Sequence, residues 1–376
     1  MRKNKVGGGV FLQNERCLQG SSFDKEGGFR PSAGMKKRGV LLLNLGSPKS
    51  TEVADVREYL REFLGDERVI DGNPLVRWFV LNCIILRRRP PRSAEAYKKV
   101  WLPEGAPLLV ITERLRRALA EELPKEMKVY VGMRYGEPSC ASVVEEMVRD
   151  GVEEVFILPQ YPHFAMSSYE TAVVKIEEEL ARLAPGMRRK ILPPYYNDPG
   201  YIDALVESAK PWLERDFDRL LFSYHGVPLR HLRREVPDYP ECTEPEDCCP
   251  DRPEARERDY RHQCFETMRL FAEKAGLQKE QYTISFQSRL GRSVWIRPYT
   301  DETLASLPGK GTKNLLVICP AFTADCLEIL EEIAQEGKET FLHAGGESFE
   351  QIPCLNDHPA YVQFLASKVT HWLAES

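Results

Sequence analysis

The chain has 376 residues, long enough for two domains with a core each, and its 42% hydrophobic and 29% charged residues exclude a fibrous or largely disordered protein. The formal net charge of -5 argues against a nucleic-acid binder, because phosphate contacts need a positive excess. No apolar segment reaches the roughly 20 residues that a membrane-spanning helix requires.

Glycine clusters and scattered charges without a sustained apolar period predict a disordered extension over residues 1–34. Apolar periodicity then predicts strands and helices in alternation, interrupted by an irregular apolar stretch over 73–92. In the first half we expect strands at 39–45, 127–132, 153–158 and 189–193, and helices at 51–64, 111–123, 138–150 and 168–183.

A proline-rich break at 193–200 ends this pattern, and the alternation restarts after it. Such alternation builds parallel sheets covered by helices, so the sequence predicts an α/β fold in two similar halves with a ligand cleft between them. We place the first domain at 35–196, the second at 197–357, and a terminal helix at 358–376 that packs back on the first. In the second half we expect strands at 218–224, 281–287, 313–319 and 339–343, and helices at 200–214, 255–276, 301–307, 326–336 and 358–374.

The apolar run Leu220–Phe222 continues through Ser223 and Tyr224 to His225. A glycine, a valine and a proline follow the histidine. A buried strand that stops at such turn residues delivers the imidazole to its carboxyl end, where ligands of open α/β sheets bind. The alternative is a core histidine that hydrogen bonds to a neighbouring carbonyl. A serine nucleophile at Ser223 would suggest a hydrolase, but no G-x-S-x-G elbow surrounds it, so packing in the sheet is the commoner role.

A second apolar strand, 313–319, is followed by Cys326 and Glu328, and it would bring a carboxylate to the same edge of the sheet. An imidazole and a carboxylate together can bind a divalent metal of intermediate softness, or move protons to and from a substrate nitrogen. The further nitrogen or sulfur ligands of a closed structural zinc site are absent at motif spacing.

Aromatic side chains gather in the loops that are expected to overhang the cleft. Each could be ordinary core, but several stand at strand ends, with Arg134 as a polar anchor. A flat apolar cavity of this kind would suit a large planar aromatic ligand. The aromatic residues are Tyr97, Trp101, Tyr135, Tyr161, Phe164, Tyr224, Trp295 and Phe322.

Several short motifs follow one another along the chain from about residue 38. They are Leu41–Pro48, Gly132–Tyr135, Pro159–Pro162, Phe222–Pro228, Phe286–Gly291 with Trp295 and Pro298–Glu302, and Phe322–Glu332. Taken together, these motifs resemble the ferrochelatase family, whose members insert ferrous iron into a porphyrin. The resemblance implies two Rossmann-like domains of the chelatase type, with parallel sheets flanked by helices and the porphyrin in the cleft between them.

By position, the resemblance implies that His225 takes the pyrrole protons or accepts the incoming iron, and that Glu328 is its acidic partner. It further implies that the porphyrin is bound by Arg134, Tyr135, Tyr161, Trp295 and Phe322. Many family members carry a second histidine where this chain has Cys326, and some bacterial members carry cysteine. We therefore do not expect Cys326 to be an essential metal ligand.

Ten cysteines in a long chain do not indicate a disulfide framework, but four of them lie in an insertion at 239–264 that follows the histidine strand. Four thiolates are the ligand count of a 2Fe–2S cluster, and the set resembles the internal cysteines of some bacterial ferrochelatases. A structural zinc site, or free thiols in an acidic loop, are the alternatives. The four cysteines are Cys242, Cys248, Cys249 and Cys264.

These features predict a ferrochelatase that acts on protoporphyrin IX and Fe(II) at the terminal step of haem biosynthesis. Competing interpretations are a related chelatase that uses coproporphyrin, cobalt or nickel, and a porphyrin carrier without turnover. We expect a cytoplasmic monomer or homodimer without a nucleic-acid partner. The apolar run Trp78–Leu86 and its arginine flank are compatible with peripheral association at the inner membrane, although a buried helix is the commoner explanation of such a run.

Overall fold

The computed structural model describes residues 37–236, 256–289 and 293–375. The extension predicted at 1–34 lies outside these ranges, as do Cys242, Cys248 and Cys249. None of the helices within the described ranges combines the length and the apolar character needed to cross a lipid bilayer.

Two four-stranded parallel sheets form in the described residues, which confirms the predicted α/β class. The first sheet has the order β2-β1-β3-β4 and consists of β1 (Arg38–Asn44), β2 (Lys128–Met133), β3 (Glu154–Pro159) and β4 (Arg188–Ile191). The second has the order β6-β5-β7-β8 and consists of β5 (Arg219–His225), β6 (Tyr282–Gln287), β7 (Asn314–Ile318) and β8 (Ser348–Gln351).

The central strands are continuous apolar runs because helices cover both of their faces. Residues Val40 to Leu43 of β1 are fully buried, and so are Leu220 to Tyr224 of β5. Strands with this pattern belong in the middle of a parallel sheet, where no face meets water. The side chains of these two central strands are therefore shielded from water on both faces of the sheet.

Three of the long helices begin with proline at their first position, where its missing N–H costs no hydrogen bond. These are Pro107–Glu122, Pro199–Leu213 and Pro359–Ala374. The remaining α-helices in the described residues are Val53–Gly65, Pro74–Phe79, Leu86–Val100, Cys140–Arg149, Thr171–Leu183, Leu229–Glu235, Tyr260–Ala275, Thr300–Ser306 and Lys338–His343. Segments of π-helix occupy Val80–Ile85, Met166–Glu170 and Glu328–Gly337, and single 3-10 turns occupy Lys279–Gln281 and Pro308–Lys310.

The stretch 73–92 is helical, so the prediction of irregular structure there is wrong. This stretch contains Pro90 and Pro91, and a proline inside a helix removes a backbone hydrogen bond. In the structure they lie within the helix Leu86–Val100. The Leu86 carbonyl, four residues before Pro90, accepts a hydrogen bond from Arg57 Nε at 3.2 Å instead. A side chain from another helix thus satisfies the carbonyl that the proline cannot.

The strand predicted at 339–343 is also wrong, because these residues continue the preceding helical segment as Lys338–His343. The fourth strand of the second sheet is β8, which pairs with β7 in parallel. An apolar run as short as the one around Phe341 and Leu342 fits a strand and a buried helix equally well.

One hydrophobic cluster contains residues of both sheets, including Val40 and Phe156 of the first and Leu220 and Ile284 of the second. The terminal helix Pro359–Ala374 belongs to it, through Trp372 and others, and contacts the helices Pro107–Glu122 and Pro199–Leu213. This shared core differs from the expectation of one core for each half. The domain boundaries placed at 196 and 357 stay a prediction.

Candidate active site

The strand β5 ends at His225, beside Gln287 at the end of β6. The next residue, Gly226, donates its N–H to the Gln287 carbonyl at 2.8 Å. A side chain at position 226 would place its Cβ 2.9 Å from that carbonyl and 3.2 Å from the Trp295 ring. Glycine is therefore required for the chain to turn closely against β6 and to leave His225 at the carboxyl edge of the sheet.

The protonation of the His225 ring follows from one hydrogen bond. Its Nδ1 lies 2.6 Å from the Gly226 carbonyl oxygen. A carbonyl only accepts, so Nδ1 carries the hydrogen and Nε2 keeps its lone pair. Burial lowers the pKa of His225 below its usual value, whereas the charge of Glu328 and the bond to Gly226 partly oppose this. The ring is thus a neutral base at physiological pH.

The partner carboxylate, Glu328, stands at the start of the π-helix Glu328–Gly337. Its negative charge acts on His225, on the buried Tyr97 hydroxyl and on the Cys326 thiol. Glu328 therefore lies near enough to His225 for its charge to oppose the effect of burial on the imidazole.

A second carboxylate, Glu332, follows on the same helix. Burial, together with the charge of Glu328, raises the pKa of Glu332 to about 7. Ser288 donates a hydrogen bond to it. With a pKa near neutral pH, this carboxyl group can take up or release a proton next to Glu328.

One arginine, Arg89, acts electrostatically on three titratable side chains of the site. Its positive charge lowers the pKa of His225, of Tyr97 and of Glu332. It lies in the helix Leu86–Val100, which packs beside the π-helix.

Two aromatic rings flank the His225 imidazole. The centroid of Trp295 lies 6.5 Å away and that of Phe322 lies 6.3 Å away, each tilted by 55° to the imidazole plane. Trp295 is held in place because its segment pairs with Pro228, and the Ile296 N–H donates to the Val227 carbonyl at 3.1 Å. The structure thus gathers three of the predicted residues on one side of the site.

The predicted residues Arg134 and Tyr135 are directed at Asp66 instead. The Arg134 guanidinium and the Thr171 hydroxyl both donate to the Asp66 carboxylate, and the Tyr135 hydroxyl donates to it at 2.9 Å. These bonds hold the pKa of Asp66 below its usual value despite burial. The Arg134 guanidinium also stacks 4.3 Å from the centre of the Tyr135 ring.

Tyr161 lies in the same wall, and Tyr59 connects this wall to the base. The Tyr161 hydroxyl is buried and has no hydrogen-bond partner among the described residues. The Tyr59 hydroxyl donates to the Gly46 carbonyl at 3.2 Å, and burial raises its pKa well above the usual value. Tyr59, Tyr97 and Tyr135 belong to one hydrophobic cluster, against which Leu327 packs.

Sequence reasoning missed Arg89, Glu332 and Ser288 as members of the site. Arg89 was hidden in a run of three arginines, and Glu332 in a helix rich in glutamate. A spacing of four residues between Glu328 and Glu332, which places both on one helix face, was the available signal.

No group of three or more His, Cys, Asp or Glu side chains in the described part of the chain could hold a metal ion. Of the four cysteines predicted to bind a cluster, only Cys264 is described. Its thiol is fully buried in the shared core, and burial raises its pKa well above the usual value. Because the other three cysteines of the set lie outside the described residues, the cluster stays a prediction.

Comparisons with known proteins agree on one family. The ferrochelatase family model matches residues 37–373. A ferrochelatase from Opitutus terrae is 50% identical over 344 residues, which cover 91% of this chain and 99% of that protein. A ferrochelatase from Pseudomonas putida strain W619 is 46% identical over 333 residues, which cover 88% and 98%. Among solved structures, SirB from Bacillus subtilis with Fe3+ gives a TM-score of 0.49 at 13% identity, covering 89% of this chain and 95% of that one.

Proposed function

The chain belongs to the ferrochelatase family, and we propose that His225 and Glu328 carry out its reaction at the carboxyl edge of the second sheet. The reaction inserts Fe(II) into protoporphyrin IX, releases two protons and completes haem biosynthesis. The observation that supports this assignment is the hydrogen bond from His225 Nδ1 to the Gly226 carbonyl, which leaves the Nε2 lone pair available to accept a proton. The negative charge of Glu328 acts on the same imidazole.

Two pyrrole N–H protons must leave the porphyrin as the iron enters. The neutral His225 takes a proton at Nε2, and the Glu328 carboxylate stabilises the imidazolium that forms. Glu332, with a pKa of about 7, can receive the proton next. A neutral imidazole and a carboxylate also suit Fe(II), so the same pair can hold the incoming substrate ion.

The porphyrin is proposed to lie against Trp295 and Phe322, with Arg134, Tyr135 and Tyr161 in the facing wall. A flat macrocycle hides its nitrogen lone pairs from an approaching ion, so the ring must bend before iron can enter. Binding energy from the periphery of the ring can supply this distortion. Because Asp66 holds Arg134 and Tyr135 in place, that wall is rigid enough to impose it.

Turnover distinguishes this enzyme from a porphyrin carrier. The purified protein is expected to insert Zn(II), as a redox-stable substitute for Fe(II), into protoporphyrin IX with repeated turnover. Zinc porphyrin formation is followed by its fluorescence. Binding of the porphyrin without product would contradict the proposed role of the site.

A 2Fe–2S cluster on Cys242, Cys248, Cys249 and Cys264 stays a prediction. No step of the reaction is assigned to a cluster. The cysteine count predicts two iron and two acid-labile sulfide per chain, and the loss of both in the Cys264→Ala variant. Zinc, or no metal, in the purified wild type would contradict the cluster.

We also propose that the protein is cytoplasmic and attaches peripherally to the inner membrane, as a monomer or homodimer. The support is an exposed apolar patch formed by Leu75, Val76, Trp78, Phe79 and Ile84, of which Trp78 is 62% and Phe79 54% exposed. The exposed Arg87 and Arg88 follow this patch in the chain, and their positive charges can pair with the anionic head groups of lipids. The patch directly precedes the helix that carries Arg89 and Tyr97, so attachment would place the site near the lipid in which porphyrins dissolve.

The double variant Trp78→Ser, Phe79→Ser is expected to lose at least about tenfold in affinity for vesicles that contain anionic lipid, because two exposed aromatic rings no longer enter the interface. Vesicle co-sedimentation measures this. Val148→Ser is the control, since Val148 is also exposed but lies on another helix. Equal binding by the double variant and the wild type would contradict the proposal.

A further inference from the structure

A buried tyrosine outside the porphyrin wall contacts the backbone of His225. The Tyr260 hydroxyl donates to the His225 carbonyl oxygen at 2.8 Å. Tyr260 is 5% exposed and begins the helix Tyr260–Ala275. Its hydroxyl reaches the carbonyl at the point where β5 ends and the regular hydrogen bonding of the sheet stops.

This bond fixes one side of the peptide unit between His225 and Gly226. The other side is fixed by the Gly226 N–H, which donates to the Gln287 carbonyl at 2.8 Å. This peptide directly precedes the one that contains the Gly226 carbonyl, so fixing it anchors the backbone from which that carbonyl projects. The Gly226 carbonyl is the acceptor for His225 Nδ1–H at 2.6 Å, so the peptide orientation sets both the tautomer and the direction of the imidazole.

The position of Tyr260 is itself set by one face of its helix. Cys264 and Thr267 lie on the same face, at spacings of four and seven residues. Cys264 is fully buried in the same hydrophobic cluster as Tyr260, so its side chain helps to pack this face of the helix against the core.

A histidine from the first half of the chain completes this support. The His163 ring meets the Tyr260 ring edge-on, with centroids 6.1 Å apart. His163 Nε2 lies 2.9 Å from the Thr267 hydroxyl oxygen, and that hydroxyl donates to the Tyr196 carbonyl at 2.7 Å. The Thr267 oxygen is therefore the acceptor and His163 the donor, which fixes the ring that packs against Tyr260.

We propose that Tyr260 is a positioning residue for the metal-insertion reaction, which holds the His225 carbonyl so that the imidazole presents Nε2 to the porphyrin. The inference depends on the proposed role of His225. Tyr260 itself does not contact the substrate. Its hydroxyl orients the catalytic base through the backbone, while Cys264, His163 and Thr267 hold Tyr260.

The test is the Tyr260→Phe variant, which keeps the ring and removes only the hydroxyl. Its kcat for zinc insertion is expected to fall about ten- to a hundredfold, because the base is misdirected, with the KM for porphyrin and for zinc unchanged. Tyr169→Phe is the matched control, since it removes a hydroxyl-to-carbonyl bond of the same kind, 3.0 Å to Leu192, at the first sheet. We expect a similar loss in Tm for both variants and a loss of kcat for Tyr260→Phe alone.

A second measurement determines the tautomer of the His225 ring in the absence of turnover. Nitrogen-15 NMR of histidine-labelled protein distinguishes the two neutral tautomers, and the wild type is expected to show His225 as the Nδ1–H form. Tyr260→Phe should show a mixture that includes the Nε2–H form. Thr267→Val, which removes the hydroxyl that fixes His163, should show a smaller change in the same direction.

The proposal is overturned if Tyr260→Phe retains the wild-type kcat and tautomer, or if Tyr169→Phe loses as much kcat. Its failure is distinguishable from failure of the proposed function. Normal kinetics for Tyr260→Phe alongside an inactive His225→Ala variant would overturn only the positioning role, whereas an active His225→Ala variant would overturn the function assigned to the base.

Discussion

The His225→Ala variant is expected to insert metal about 10²- to 10⁴-fold more slowly than the wild type, because it lacks the group that takes the pyrrole protons. The imidazole is half-buried and is held by a single bond to Gly226, so its loss leaves the strand β5 and the surrounding rings in place. Initial rates of zinc insertion into protoporphyrin IX measure the effect. Porphyrin binding, followed by fluorescence, should change little.

The matched control for this variant is His371→Ala. His371 is exposed on the terminal helix, where its Nε2 lies 3.1 Å from a carboxylate oxygen of Glu375. Its removal is expected to leave the rate unchanged. Near-normal metal insertion by His225→Ala, with the control also normal, would remove the central residue of the mechanism.

The Glu328→Gln variant is expected to lower the rate of metal insertion about 10- to 100-fold, because the imidazolium formed at His225 loses its counter-charge. The charge of Glu328 raises the pKa of His225, so its removal lowers that pKa further. A base with a lower pKa is unprotonated to a lower pH, and the acidic limb of the rate profile should therefore shift to lower pH while the maximum rate falls. Zinc insertion measured across pH tests both parts.

Glu331→Gln separates this effect from a general loss of charge on the helix. Glu331 lies in the same π-helix, but its carboxylate pairs with Lys99 at 2.7 Å and not with the base. We expect this variant to lose stability and to keep the pH profile of the wild type. A Glu328→Gln variant with the wild-type profile and rate would show that the carboxylate does not act on His225.

The sequence was sufficient to expect His225 and Glu328 at one edge of a sheet, since both follow apolar strands and the carboxyl ends of parallel strands meet there. It was insufficient for the orientation of Arg134 and Tyr135. Their partner Asp66 is 68 residues before Arg134, in a loop with no motif that would have indicated contact. Long-range pairing of this kind depends on packing and not on local pattern.

The local sequence pattern also gave wrong predictions where a helix and another backbone conformation would bury the same residues equally well. The short run at 339–343 is helical because it continues the π-helix that begins at Glu328, and the helix through Pro90 persists because Arg57 bonds to the carbonyl of Leu86. In both places a neighbouring element decides the outcome. The strands with longer apolar runs, such as β1 and β5, needed no such context.

A crystal structure of the protein with bound protoporphyrin IX is the most direct measurement. We expect a pyrrole nitrogen within hydrogen-bond reach of His225 Nε2, about 2.6–3.2 Å or through one water molecule, with the Glu328 carboxylate facing the same nitrogens. A porphyrin bound away from the carboxyl edge of the second sheet, or His225 and Glu328 facing separate compartments, would contradict it.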